Sequence, residues 1–188
     1  MLNDEVVLTF EAILISQENG DQDRRFAFLY SITTDTVSIF EGKNPSLGIK
    51  GGKFLQKTKI NNPLTGSPYT SKDFYVGATI GCVGRIFKLT GASEFSLCTM
   101  EAHPNLFPFS DLNQCVSNLS SVVKAKNIDL SSSFKRFDNQ QTGQVSKANS
   151  DIVFSAVQPE FTEQEIITIQ RRFLDNDQFD YGLLLRYL

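Results

Sequence analysis

The spacing of apolar residues changes near Ser93, and that change limits what this chain can fold into. Upstream of it, β-branched and apolar residues come in short runs broken by Gly, Pro, Asn and Asp, the signature of strands and turns. Residues 6–15 form the first run, and Gln17-Glu18-Asn19-Gly20-Asp21 breaks it. Residues 25–30 and 36–40 follow as a hairpin across Thr33-Thr34-Asp35, and residues 53–60 read as one irregular strand. Residues 74–76, 79–83 and 86–89 read as three more, with Gly84-Arg85 as the tight turn between the last two. Downstream the period becomes helical. Ser93 is placed as an N-cap for a helix over residues 94–103, which Pro104 stops. Leu112, Val116, Leu119 and Val122 recur every three or four residues and predict a helix over 111–126. Residues 128–137 predict a shorter one. Thr162-Glu163-Gln164-Glu165 is a capping box opening a helix through Phe173, and residues 182–188 predict a last short helix. The expectation is an α+β chain: an antiparallel β domain over 1–109, then a small helical domain over 110–188.

Composition excludes several functions. Hydrophobic residues make up 40% of the chain, enough for a real core, with 16 Phe and no Trp. A net charge of -3 argues against nucleic acid as a partner. No apolar run approaches the ~18 residues of a membrane span, and the acidic start Asn3-Asp4-Glu5 lacks the basic segment of a signal peptide. Cys82, Cys98 and Cys115 are too widely spaced for a zinc site or a disulfide framework. They are expected to be reduced thiols, buried or partly buried.

Charge is segregated along the sequence. Residues 1–41 carry eight acids against Arg24 and Arg25, whereas residues 42–92 carry eight basic side chains against Asp73 alone. A basic surface for an acidic partner is one reading; lysines that solvate a sheet and blunt its edge is the other.

Two loops in the helical half could hold a cation. After Phe134-Lys135-Arg136-Phe137, the twelve-residue calcium-loop frame sets Asp138 at the first ligand position, Gly143 at the sharp turn and Val145 at the apolar position that pairs two loops. The oxygens are poor, because Gln140 and Thr142 replace carboxylates, Gln144 follows, and Asn149 stands where the bidentate Glu belongs. The second loop, Leu174-Asp175-Asn176-Asp177-Gln178-Phe179-Asp180-Tyr181, has lost its glycine and is too short for that frame. Asp175, Asp177 and Asp180 are its only acids. A packing unit without metal is the expectation, with Val145 and Phe179 in a two-stranded bridge. Lys50-Gly51-Gly52-Lys53 lacks P-loop spacing and reads as a close backbone approach. His103, the single histidine, has no triad partner in reach of the sequence. No motif argues for catalysis.

One further pattern covers residues 24–109. Arg25-Phe26, Asp35-Thr36, Phe40-Glu41, Gly51-Gly52-Lys53-Phe54-Leu55, Asp73-Phe74-Tyr75-Val76-Gly77 and Met100-Glu101 with Pro104 resemble, in order and spacing, the DM-ten domain of the EF-hand-containing ciliary proteins (the myoclonin and axonemal protofilament-ribbon family). The resemblance implies a PH-like antiparallel β-barrel closed by a helix and followed by a degenerate EF-hand pair. It implies a non-enzymatic structural protein of the axoneme, a microtubule inner protein in cilia or flagella. Its partners would be tubulin protofilaments in the A-tubule lumen and neighbouring inner proteins, with no nucleic acid, membrane or cofactor. Family members carry three DM-ten copies and this chain one, so it implies a shortened or split relative. Lys50, Lys53, Lys57 and Lys59 are then the candidate tubulin contacts. A calcium-responsive or lipid-binding regulatory module is the alternative.

Overall fold

The computed structural model describes residues 5–18 and 20–188. The acidic start at residues 1–4 and Asn19 of the first predicted turn lie outside the described residues. The chain forms two compact units, Met1–Phe107 and Pro108–Leu188.

The first unit is one antiparallel sheet. Strands β1 (Val7–Leu14), β2 (Phe26–Ser31), β3 (Thr36–Glu41), β4 (Gly52–Thr58), β5 (Thr79–Cys82) and β6 (Arg85–Ala92) pair in the order β4-β3-β2-β1-β6-β5. The sheet curls into a half-barrel, the PH-like arrangement expected. The alternation seen in the sequence sets the faces. Leu8, Phe10, Ala12 and Leu14 of β1 point inward with Phe28 and Tyr30 of β2, Val37 and Ile39 of β3, and Phe87 and Leu89 of β6. Helix α1 (Glu94–Ala102) closes one end: Met100 is fully buried in this core and Leu97 packs against it. Ser93 caps α1 as predicted, accepting the Ser96 N–H.

Two strand predictions need correction. Residues 74–76 are not a strand. A short three-ten turn, Ser71–Asp73, precedes them, held by reciprocal bonds between Thr70 and Asp73. Phe74 and Val76 still reach the core, each 1% exposed, so the apolar signal there reports burial and not a ladder. The β5–β6 turn sits one residue earlier than predicted. Cys82 pairs with Arg85, leaving Val83 and Gly84 at φ 49° and 68°, the conformation of a two-residue hairpin turn. A β-branched residue is disfavoured there, so Val83 carries no turn signal in the sequence. Gly51 does mark a close approach, since a Cβ would lie 2.9 Å from Glu41 O and from Lys43 N.

The second unit contains α2 (Leu112–Lys126), α3 (Leu130–Lys135), β7 (Gln144–Ser146), α4 (Lys147–Ser155), α5 (Glu163–Phe173), β8 (Leu174–Asp175), β9 (Gln178–Asp180) and α6 (Tyr181–Leu184). Asp111, Asp129, Ser146 and Thr162 cap four of these helices with side-chain oxygens. The last helix is shorter than predicted. Helix α4 was not singled out by the sequence, although Ser146 before Ile152-Val153-Phe154 is its signal. Phe134, Phe154, Phe161 and Phe179 are fully buried and build the core with Leu119 and Ile169.

Candidate functional site

Among the described residues strand β4 is an outer strand that pairs with β3 alone, and its ladder is irregular on both sides of Ile39. Bulges and lysines on an outer strand discourage uncontrolled pairing with other chains. All four predicted lysines lie in or beside this strand and are exposed, but they are not equivalent. The Lys57 ammonium is ion-paired to Glu5, whose carboxylate also accepts the Ser31 hydroxyl. That pairing, first through Lys57 and then Ser31, holds the Glu5 carboxyl below its ordinary value. Lys53 lies over the Phe40 ring, Nζ 5.8 Å from its centroid, a cation–π contact. Among the described residues Lys50 and Lys59 make no ion pair. Elsewhere, Arg24 bridges Asp21 at 2.9 Å and Glu41 at 2.7 Å, and Arg85 meets Asp21 at 3.4 Å and Glu18 at 3.5 Å. Much of the charge segregated in sequence is thus folded back onto its opposite. Lys50, Lys53 and Lys59 are left to offer positive charge outward.

The first calcium-type loop is filled from within. Asp138 is 6% exposed. Its carboxylate accepts the Gly143 N–H at 2.8 Å, the Thr142 N–H at 3.0 Å, the Thr142 hydroxyl at 3.2 Å and the Tyr181 hydroxyl at 2.8 Å. Burial alone would raise the carboxyl pKa, but these donors outweigh it and pull it down to about 2. Tyr181 answers in the opposite direction, pushed up to about 12 by burial and by the carboxylate it serves. Gly143 holds φ 79°, and its carbonyl accepts the Gly182 N–H at 3.0 Å. Gln144 is exposed and pairs in register with Asp180. Val145 stands opposite Phe179, as expected of the bridge between the loops.

The second loop has collapsed further. Leu174 pairs with Phe179 and Asp175 with Gln178, leaving Asn176 and Asp177 as a two-residue turn at φ 47° and 63°. Two of its three acids are spent locally: Asp175 accepts from the Asn176 amide at 3.0 Å, and Asp180 caps α6 through the Leu183 N–H at 2.7 Å. The Asp177 carbonyl accepts the Lys147 N–H at 3.0 Å. Among the described residues no cluster of three or more His, Cys, Asp or Glu is placed to hold a metal ion.

Replacing Tyr181 by Phe removes one donor from Asp138. The Asp138 carboxyl is then expected to titrate higher than about 2, as followed by carboxyl-carbon NMR. A carboxyl whose folded pKa is depressed stabilises the fold above its unfolded value and loses that stabilisation as pH falls. The helical unit should therefore weaken between pH 3.8 and about 2, and Tyr181→Phe should shrink that acid-sensitive increment.

A groove of about 490 Å³ crosses the outer face of the half-barrel. Its floor is Ala27, between Glu11 and Phe40 in the ladder, and Arg25 and Thr90 line its rim. No sequence motif announced it. Its signal was a small residue flanked by larger ones, beside the irregularity that sets Ala12 on Leu89 and Glu11 on Gly91. Cys82 and Cys115 are buried, but Cys98 is exposed, contrary to expectation. His103 ends α1, with Nδ1 2.8 Å from the Thr99 carbonyl.

Residues 1–96 match the DM10, or DM-ten, domain. The chain is similar to EF-hand domain-containing family member C2 of Danio rerio, 26% identical over 188 residues, covering 95% of this chain and 25% of that protein. The Bos taurus protein of the same name is 30% identical over 174 residues, 88% of this chain and 24% of its own length. EF-hand domain-containing protein 1 of Mus musculus is 39% identical over 114 residues, 57% of this chain and 17% of its length. The chain thus spans about a quarter or less of the curated relatives it matches.

Proposed function

This chain belongs to the DM10-domain family, and on that footing we propose that it is a non-enzymatic microtubule inner protein of ciliary or flagellar doublets. Its role is to bind tubulin and neighbouring inner proteins and so to stabilise the axoneme. The observation that carries the reading is the DM10 match over residues 1–96, joined to relatives with EF-hand names aligned across both units. The exposed lysines beside β4 support it, since basic side chains suit an acidic wall of tubulin. The helical unit then serves as a packing element, because Asp138 already has its oxygens occupied by Tyr181, Thr142 and Gly143.

The test is localisation. A tagged copy in ciliated cells is expected to remain with axonemes after detergent extraction and a salt wash. Recovery in the detergent-soluble fraction would sink the reading and bring calcium and anionic lipid forward as ligands. Reversing Lys50, Lys53 and Lys59 to Glu is expected to weaken microtubule binding by roughly tenfold at low salt, with a smaller deficit at high salt. Reversing Lys57 also breaks its pair with Glu5, so it is the poorer probe.

A further inference from the structure

The segment between β4 and β5 contains a small hairpin over residues 61–68 with Leu64 at its tip. Asn61 bridges Pro68, the Asn62 N–H donates to Ser67 O at 2.9 Å, and the Gly66 N–H donates to Asn62 O at 2.8 Å. The Asn62 side chain accepts the Leu64 N–H at 2.9 Å. The base is seated on the sheet. Pro63 lies so close to Gly81 that a Cβ there would come within 2.6 Å of its ring, and the Gly81 N–H donates to the Tyr69 hydroxyl at 2.9 Å. A loop tied at so many points holds its tip residue in place, yet Leu64 is 93% exposed. Presenting a leucine at a fixed position in water has no folding benefit.

Leu64 is not isolated. Gly81, under Pro63, is the cross-strand partner of Ile86, which is 48% exposed on the outer face. The Ile15 N–H donates to Ile86 O at 2.8 Å, and Ile15 is 51% exposed. Pro63, Ile86 and Ile15 therefore form an apolar strip across the β5–β6–β1 end of the sheet, with Leu64 next in sequence to Pro63 at the hairpin tip. Its hairpin end is basic, because Lys59 stands exposed at the foot of the hairpin, while the exposed Glu18 beyond Ile15 is paired with Arg85. The acid in that segment, Asp73, is occupied by the Thr70 N–H at 2.8 Å and hydroxyl at 3.1 Å.

We propose that this strip is a protein-docking surface, with Leu64 as the anchor that enters an apolar recess rimmed by carboxylates on the partner. An anchor side chain set in advance by its own loop spares the ordering cost of binding. A lipid surface fits less well, because interfacial anchoring favours Trp and Tyr and the strip contains neither. On the reading given above, on which this proposal rests, the partner is tubulin.

The test uses the full chain co-assembled with purified tubulin and pelleted with the microtubules. Leu64→Glu should fold normally, as its side chain touches little else, and should lower the bound fraction about tenfold or more. Ile86→Glu should act in the same direction, and a photo-crosslinking residue at position 64 should label tubulin. If the unaltered chain pellets and Leu64→Glu pellets equally, the docking surface is wrong while the tubulin reading stands. If the unaltered chain does not pellet, both fall. Binding to phosphatidylserine vesicles that Leu64→Glu abolishes would overturn the protein partner in favour of a membrane.

Discussion

Replacing Phe87 by alanine is expected to cost the first unit about 3–5 kcal/mol, the usual price of deleting a buried phenyl ring. Phe87 is fully buried, with ring centroids 5.1 Å from Phe26, 5.0 Å from Phe28 and 5.8 Å from Phe54, all near edge-to-face. These contacts join β6 to β2 and β4, strands that are not neighbours in the sheet. The ring thus holds the curl as well as filling space, and the cavity left by alanine has walls fixed by two hydrogen-bonded ladders. A loss of this size rivals the roughly 5–15 kcal/mol that separates a typical domain from its unfolded state. Hydrogen exchange gives the residue-level check: protection should fall across β1 to β6 and persist in the helices of the second unit. Phe87→Leu, which retains most of the volume, should recover much of the loss.

Phe134→Ala should be as severe in the second unit, again about 3–5 kcal/mol. Its ring stacks on Tyr181 at 5.1 Å and 9°, meets Phe154 edge-on at 5.9 Å, and lies 5.7 Å from Phe179. Tyr181 is also the donor to Asp138. Removing the ring under it frees that hydroxyl to move, so the variant should lose exchange protection through β7 and β9 and show a raised Asp138 titration together. Loss of stability without any change at Asp138 would show that Tyr181 is positioned by something other than this stack.

Local chemistry was well written in the sequence. Apolar runs located all six sheet strands, β6 running three residues beyond its predicted end, and the caps at Ser93 and Thr162 follow from side chains that bond within three residues. The Val145–Phe179 bridge was legible because the loop frame fixes which residues oppose. What escaped is long-range. Lys57 meets Glu5 across 52 positions and Arg85 meets Asp21 across 64. A count of charge along the chain therefore overstated the basic surface. The outer-face groove and the Leu64 hairpin depend on which strands adjoin, and a run of turn residues announces a loop without saying where its tip points.

The two loops of the helical unit differ in what a lineage could still do with them. The first keeps its full frame from Asp138 to Asn149, so acids at 140, 142 and 149, with Tyr181 made unable to donate, would restore a cage by substitution alone. The second is only the Asn176-Asp177 turn between paired strands, and no choice of side chains can lengthen a backbone. Only an insertion would reopen it. A paired ion site therefore lies within reach of point substitution at the first loop and out of its reach at the second.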